Sequence, residues 1–427
     1  MNENLSVKPY RYYRNLNITS QFILCNSIKM LKDKNIICLG NSMWESNFTN
    51  TMAEIMTVLS SDNKILHIDY AFSFKDFLRG GKDVPFKKTF GIEPRLREVK
   101  TRVNSTINVL SPPPVLPINI IPLHSLFIKL LRVNARIVEY SIRKAVDHLK
   151  IKDPIIVSGF NPYYGTMLAG RLGEVLNIYY CYDEIATGWN SNHGVLIEND
   201  YINKADVVIT TSEILFHNKS CKTKECYLIK NGVDFNRFFL HAGNVRNTKR
   251  KVIGYTGSID DRFDIDTMVY LIENLPEVEF LFAGRTPDEN AFRTLSRFSN
   301  TRWLGAKKPE EIPAIIGEID LGVVPYLVNE YTKSVYPLKF NEYLAVGKPV
   351  VSSEFANLPE FKPFIRFASS RENFLNAVME ELKTDNEIKK RERIQFASGN
   401  SWQQRAEYFS AIIENALEKK RFFKYAI

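Results

Sequence analysis

Ten short apolar runs, most of them rich in valine and isoleucine, alternate with longer stretches of helical spacing and fall into two series. The first holds "NIICLG" (35–40), "KILHIDY" (64–70), "PIIVSG" (154–159), "IYYCYD" (178–183), "DVVITTS" (206–212) and "CYLIKNG" (226–232). The second holds "KVIGYTGS" (251–258), "VEFLFAG" (278–284), "DLGVVPY" (320–326) and "PVVSS" (349–353). Runs apolar on both faces and separated by helices indicate parallel sheets covered on both sides. The expected class is therefore α/β, with two doubly wound parallel-sheet domains over 35–240 and 250–400. An extension over 1–34 precedes them, and a further segment over 401–427 follows. Between the domains "FNRFFLHAGNVRNTKRK" (235–251) is polar and basic in its second half, as a linker is. Ligands of such sheets bind beyond the carboxyl ends of the strands, here in the cleft between two facing sheets.

With 427 residues, 44% of them hydrophobic, the chain can build two cores. Five cysteines without a C-x-x-C point to a reducing compartment. No run approaches the roughly 18–20 apolar residues of a spanning helix, so the expected location is cytoplasmic, in solution or at the inner face of the membrane. The net charge of +9 is local: residues 79–150 carry 14 Lys/Arg against 5 Asp/Glu, and the remainder is neutral. The devices of simple dehydrogenases, P-loop enzymes, zincins and serine hydrolases are all missing from the sequence. No nucleic-acid-binding module is recognisable either, so nucleic acid is not an expected partner.

The segment "VYPLKFNEYLAVGKPVV" (335–351) reads as a short helix entering a strand. Pro337 suits the first helical position and Gly347 the left-handed residue after the last turn. Lys339 and Glu342 then share one face near the positive end of the helix, a combination suited to a phosphorylated ligand that also carries hydroxyls. Two solvated charges on a packed helix are the plainer alternative. In "GYTGSIDDRFDID" (254–266), Gly257 ends a strand, Ser258 follows, and Arg262 precedes a helix that begins near Asp264. Glycine admits a close approach of ligand, and Arg262 can clamp a diphosphate or simply face solvent. The D-x-D of 264–266 sits at a helix start, where acids serve as caps, so no metal site is expected.

On the other side of the expected cleft, "YDEIATGW" (182–189) sets Asp183 and Glu184 at a strand exit, where adjacent side chains diverge and Asp183 is the one expected to face the cleft. Gly40 in "LGNSMWESN" (39–47) would let an acceptor come close, and Trp44 either stacks on a sugar ring or covers the core. His193, in "NSNHG", is an acceptor-side candidate or a solvated imidazole. The helix expected over about 126–149 puts Lys129, Arg132, Arg136 and Arg143 within about 60° of one another. Upstream lies the proline-broken apolar stretch "SPPPVLPINIIPLHSLF". Basic stripe and apolar stretch together suit an anionic membrane surface, although a solvated face beside a buried loop has the same pattern.

In this order the pieces resemble a nucleotide-sugar glycosyltransferase of the GT-B fold, two Rossmann-like domains facing across a cleft. The group is the large retaining one, and the resemblance is to its bacterial teichuronic-acid-type polysaccharide enzymes. The second half carries it, from "GYTGSIDDRFD" through "VEFLFAG" and "NTRWLGAKKPEEIPAIIGEIDLGVVPY" to "YPLKFNEYLAVGKPVV". The first half matches more loosely, and "SWQQRAEYF" (401–409) resembles the closing helix that returns to the first domain. The resemblance implies that Glu342 takes the ribose hydroxyls of a UDP or GDP sugar. It places Lys339, Arg262 and the helix start at Pro337 near the diphosphate, with Gly257 and Ser258 beneath the phosphates. It gives Asp183 the acidic position facing the acceptor.

Two positions depart from the pattern: Ser334 stands where a first glutamate is usual, and Tyr180 where an aspartate is common. The implied reaction moves the sugar to a hydroxyl of a lipid-linked or saccharide acceptor with retention, without a cofactor. Asp183, Lys339 and Arg262 would carry it. Ser334 also suits a different protein, a non-catalytic GT-B relative serving as partner subunit of a polysaccharide assembly complex. A nucleotide-sugar epimerase on this fold would need more acid/base groups than six scattered histidines and Asp183 offer.

Overall fold

The structure is a computed structural model that describes residues 29–46, 50–78, 84–185, 191–223, 225–243 and 250–425. Most of the N-terminal extension, part of the 182–189 strand exit, the middle of the linker and the last two residues lie outside them. Eight strands build the first sheet: β1 (Asn35–Leu39), β2 (Lys64–Ile68), β3 (Leu96–Lys100), β4 (Thr106–Leu110), β5 (Ile155–Gly159), β6 (Leu176–Cys181), β7 (Val207–Thr210) and β8 (Cys226–Leu228). Six build the second: β9 (Val252–Thr256), β10 (Glu279–Ala283), β11 (Thr301–Gly305), β12 (Leu321–Val324), β13 (Val350–Ser353) and β14 (Arg366–Ala368).

The first sheet runs β3-β4-β2-β1-β5-β6-β7-β8 and the second β11-β10-β9-β12-β13-β14. Among the described residues only β3 is antiparallel to its neighbour; the other pairs are parallel. In both sheets the strand order reverses once, between β1 and β5 and between β9 and β12. A doubly wound sheet binds its ligand beyond the strand ends at such a reversal.

All ten apolar runs contain strands; nine are covered on both faces, while the edge strand β8 is only partly buried. In β1, Ile36 and Cys38 pack with Met52 and Met56 of the helix Thr51–Leu59 and with Phe409 and Ile413 of the helix Trp402–Tyr425. Ile37 and Leu39 point the other way, onto Val138 and Ile142 of the helix His124–Leu149. The second sheet has one continuous core that joins Tyr255, Phe282 and Val323 to Phe340 and Leu344.

The chain crosses between the sheets twice, and the crossings are tied together. The Val233 N–H donates to the Asn400 carbonyl at 2.9 Å, and the Trp402 N–H to the Val233 carbonyl at 3.0 Å. A Cβ at Gly232 would stand 3.0 Å from both Asn400 O and Trp402 N.

Candidate functional site

Between the carboxyl ends of the two sheets lies a cleft of about 520 Å³ lined from both domains. Its floor on the second-domain side is glycine. Gly257 ends β9 at φ +132, with its N–H on Ala283 O at 2.7 Å. A Cβ there would stand 2.5 Å from Lys339 Cε, and one at Gly284 only 1.8 Å from Gly257 O. The turns after β9 and β10 thus stack closely enough to bring Lys339 directly over the Gly257 backbone.

Lys339 belongs to the helix Leu338–Ala345, which ends as its sequence suggests, with Gly347 at φ +81. At its start Pro337 precedes the first turn by one residue, with φ −77 and ψ 123, and supplies no side-chain cap. Its fixed φ also suits this capping position, and the first-turn N–H groups are left for another acceptor. The Lys339 ammonium donates to Tyr326 Oη at 2.9 Å and lies 5.2 Å from the Tyr255 ring centroid. The Glu342 carboxylate, on a partly buried residue, has no hydrogen bond among the described residues. Burial pushes its carboxyl up from the ordinary range, against the nearby Lys339 and Arg237 charges.

Arg262 and Ser258 also line the cleft. The Arg262 guanidinium is already held by Asp260, Nε on Oδ1 at 2.9 Å and Nη2 on Oδ2 at 2.6 Å. An anion here meets a paired cation rather than a free one. Asp264 caps the following helix through Thr267, whose N–H lies 3.0 Å from its Oδ1. Arg285 and Lys307 line the cleft too and were missed in the sequence. The signal was present, since each is the first basic residue after an apolar run or strand, in "FAGR" and "LGAK". Ser334 is buried, with its hydroxyl donating to Tyr331 O at 2.7 Å, and does not line the cleft.

Asp183 faces these groups from beyond β6. Its Oδ1 accepts the Glu184 N–H at 2.9 Å, and its Oδ2 accepts the Tyr331 hydroxyl of the opposite domain at 3.4 Å. Burial raises its carboxyl above the ordinary aspartate range; the Glu184 N–H and the Arg262 charge oppose that in part. Glu184 turns away, onto the buried Lys219 at 3.1 Å, which also holds Glu198 at 2.7 Å.

The other acceptor-side candidates sit elsewhere. A Cβ at Gly40 would stand 2.8 Å from the His67 ring, so the glycine serves close packing there. Trp44 meets the same ring edge-on at 5.2 Å and donates its backbone N–H to Asp69 Oδ1 at 2.8 Å, covering the core. From this loop Asn41, Ser42 and Ser46 reach the cleft instead. His193 lies in the helix Ser191–Lys204, not in a loop. Its ring packs on Phe127 at 4.3 Å, with Nε2 2.8 Å from Ile121 O and Nδ1 3.1 Å from His124 Nδ1. Asn-Gly flanks it at the helix start, where a turn pattern and a first helical turn look alike in sequence.

Along the helix His124–Leu149, Lys129, Arg132 and Arg136 are exposed and carry no ion pair among the described residues. Arg143 differs, since Glu139 holds it at 2.9 Å. Leu126, Val133 and Tyr140 are exposed on the same helix at seven-residue spacing. Among the described residues no helix is long and apolar enough to cross a membrane.

Comparison with known proteins adds a family match and a fold. Residues 250–381 match the family described as Glycosyl transferases group 1. TuaH of Bacillus subtilis (strain 168), provisionally named a teichuronic acid biosynthesis glycosyltransferase, is 28% identical over 176 residues, covering 38% of this chain and 44% of that protein. The match therefore spans less than half of that relative's length. An α,α-trehalose-phosphate synthase (UDP-forming) from Burkholderia vietnamiensis superposes with a TM-score of 0.64 at 12% identity, over 90% of this chain and all of that one. The sucrose-phosphate synthase of Thermosynechococcus elongatus gives 0.65 at 13%, over 90% of this chain and 100% of its own. Anabaena HepE, solved with UDP and glucose, gives 0.58 at 13%, over 89% and 99%. The chain thus has the GT-B fold, and residues 250–381 of its second domain match the group 1 glycosyl transferase family.

Proposed function

We propose that the protein transfers a sugar from a nucleoside diphosphate, UDP or GDP, to a hydroxyl of a lipid-linked or saccharide acceptor, with retention. The observation that carries the reading is the contact of Lys339 with Gly257 at the open start of the helix Leu338–Ala345. It sets a cation, a bare backbone turn and unpaired N–H groups around one small volume, which is what a diphosphate requires.

Negative charge grows on the diphosphate as the glycosidic bond breaks. Lys339 and the helix start stabilise it without reorganising, and Arg262 joins them by sharing its fork with Asp260. Glu342, about one turn further along the helix, receives the ribose hydroxyls. Asp183 orients the acceptor hydroxyl across the cleft and takes its proton, a task its raised carboxyl suits. No protein nucleophile is assigned. Titration of UDP and GDP into the wild type, Lys339→Ala and Glu342→Ala tests this. At least tenfold weaker binding in each variant is expected, and unchanged affinity in both refutes the site. Hydrolysis of a nucleotide sugar by the purified protein separates an enzyme from a non-catalytic subunit.

The helix His124–Leu149 gives a lipid-linked acceptor its setting at the inner membrane face, with Lys129, Arg132 and Arg136 toward anionic headgroups and Leu126, Val133 and Tyr140 among them. Replacing the three cations by Gln should weaken binding to anionic liposomes by about 100-fold, at about 1 kcal/mol each. Binding that survives the change, or ignores salt, would retire the membrane assignment.

A further inference from the structure

A second pocket, of about 210 Å³, lies in the first domain beside the main cleft. It sits over the β1–β5 reversal: Asn41 follows β1, and Phe160 and Asn161 follow β5. Asn41 lines both spaces, held by the Tyr182 hydroxyl at 2.7 Å from its Oδ1. Among the described residues that line it there is no Lys, Arg, His, Asp or Glu. Rings and uncharged polar groups take their place, with Phe127, Phe160 and three tyrosines, Tyr70, Tyr163 and Tyr164, beside the amides of Asn41 and Asn119.

Two observations mark the pocket as more than a packing gap. The Tyr70 and Tyr164 hydroxyls have no hydrogen-bond partner among the described residues. Burial raises both phenols, so they remain protonated donors at any physiological pH. Phe160 stands at φ +47, a left-handed conformation that bulky residues rarely adopt. Its N–H on Tyr180 O at 2.8 Å and its ring beside Tyr182 hold it there.

We propose that this pocket is the acceptor subsite of the transfer and that it takes an uncharged terminal sugar ring, to the exclusion of phosphorylated sugars. The proposal rests on the reaction argued above and names its acceptor class. A pyranose presents C–H faces that pack on aromatic rings and hydroxyls that pair with amides and phenols. A cavity of about 150 Å³ accommodates benzene, so this one has room for a single six-membered ring with substituents. A phosphate would lose its hydration here without meeting a cation. In a lipid-linked acceptor the diphosphate then stays outside, toward the basic face of the helix that lends Phe127 and Leu131 to the pocket wall.

Saturation-transfer NMR on the full chain tests this with methyl α- and β-glycosides of glucose, galactose, mannose and N-acetylglucosamine, and with glucose 6-phosphate and mannose 6-phosphate. At least one glycoside should bind, about tenfold or more tightly than either phosphate. Tyr164→Phe, which keeps the ring, should weaken it about fivefold to tenfold and leave UDP and GDP binding unchanged. Asn119→Lys, at the exposed rim, should narrow the gap to the hexose phosphates. Failure of every glycoside to bind, phosphates binding as well, or no effect of Tyr164→Phe overturns the proposal. Nucleotide binding in the same samples keeps the two readings apart: its absence strikes the donor site, and the glycoside result strikes only this pocket.

Discussion

The two walls of the cleft are built from different materials. The second-domain wall is backbone and charge: glycines at 257 and 284, an open helix start, Lys339, Arg262, Arg285 and Lys307. The first-domain wall is asparagine, serine and tyrosine around one carboxylate, Asp183. A diphosphate looks the same whatever sugar it carries, so a fixed set of donors can hold it. An acceptor is individual, and shape with neutral hydrogen bonds must distinguish it.

If that division is right, variants on the two walls must fail differently. The largest effect is expected for Lys339→Met, with transfer reduced by about 10²–10³-fold and nucleotide affinity lowered as well. Asp183→Asn should cost about 10²-fold in rate while UDP or GDP binds as before. A parallel loss of nucleotide binding in Asp183→Asn would erase the distinction.

The pH profile sharpens it. As the proposed base Asp183 must be ionised to take a proton, so activity should fall as pH drops through its carboxyl. Burial places that limb above the ordinary aspartate value, and Asp183→Asn should lack it. The smallest effect is on stability. A carboxyl raised in the folded state contributes stability below its unfolded pKa and loses it as pH rises through the folded one. Ionised Asp183 therefore costs stability at neutral pH. Asp183→Asn should melt about 2 °C higher at pH 7, a gain that vanishes in acid.

Much of this was legible in the sequence because it rests on short-range devices. Nine strands buried on both faces announced themselves as apolar runs, and Gly257, Lys339 and Glu342 lie in two continuous motifs; β4, inside the first sheet, did not stand out, because Thr106 and Asn108 interrupt its apolar residues. Of the edge strands only β8 was visible: β3 is antiparallel and exposes Glu98 and Lys100, and β11 and β14 carry the partly exposed or exposed Arg302 and Arg366. Gly40 and Trp44 look in sequence like any small-residue loop; only the position of His67 shows that they pack inward. The neutral pocket could not be read at all, since its walls come from segments near residues 41, 70, 118, 127 and 162 that only the sheet topology brings together.

The most direct test of the central claim is a crystal structure with UDP or GDP bound. The account predicts the diphosphate against Gly257 and the N–H groups after Pro337, within hydrogen-bond distance of the Lys339 ammonium, and the ribose on Glu342. A nucleotide seated elsewhere, or one whose phosphates point away from that helix start, would contradict it.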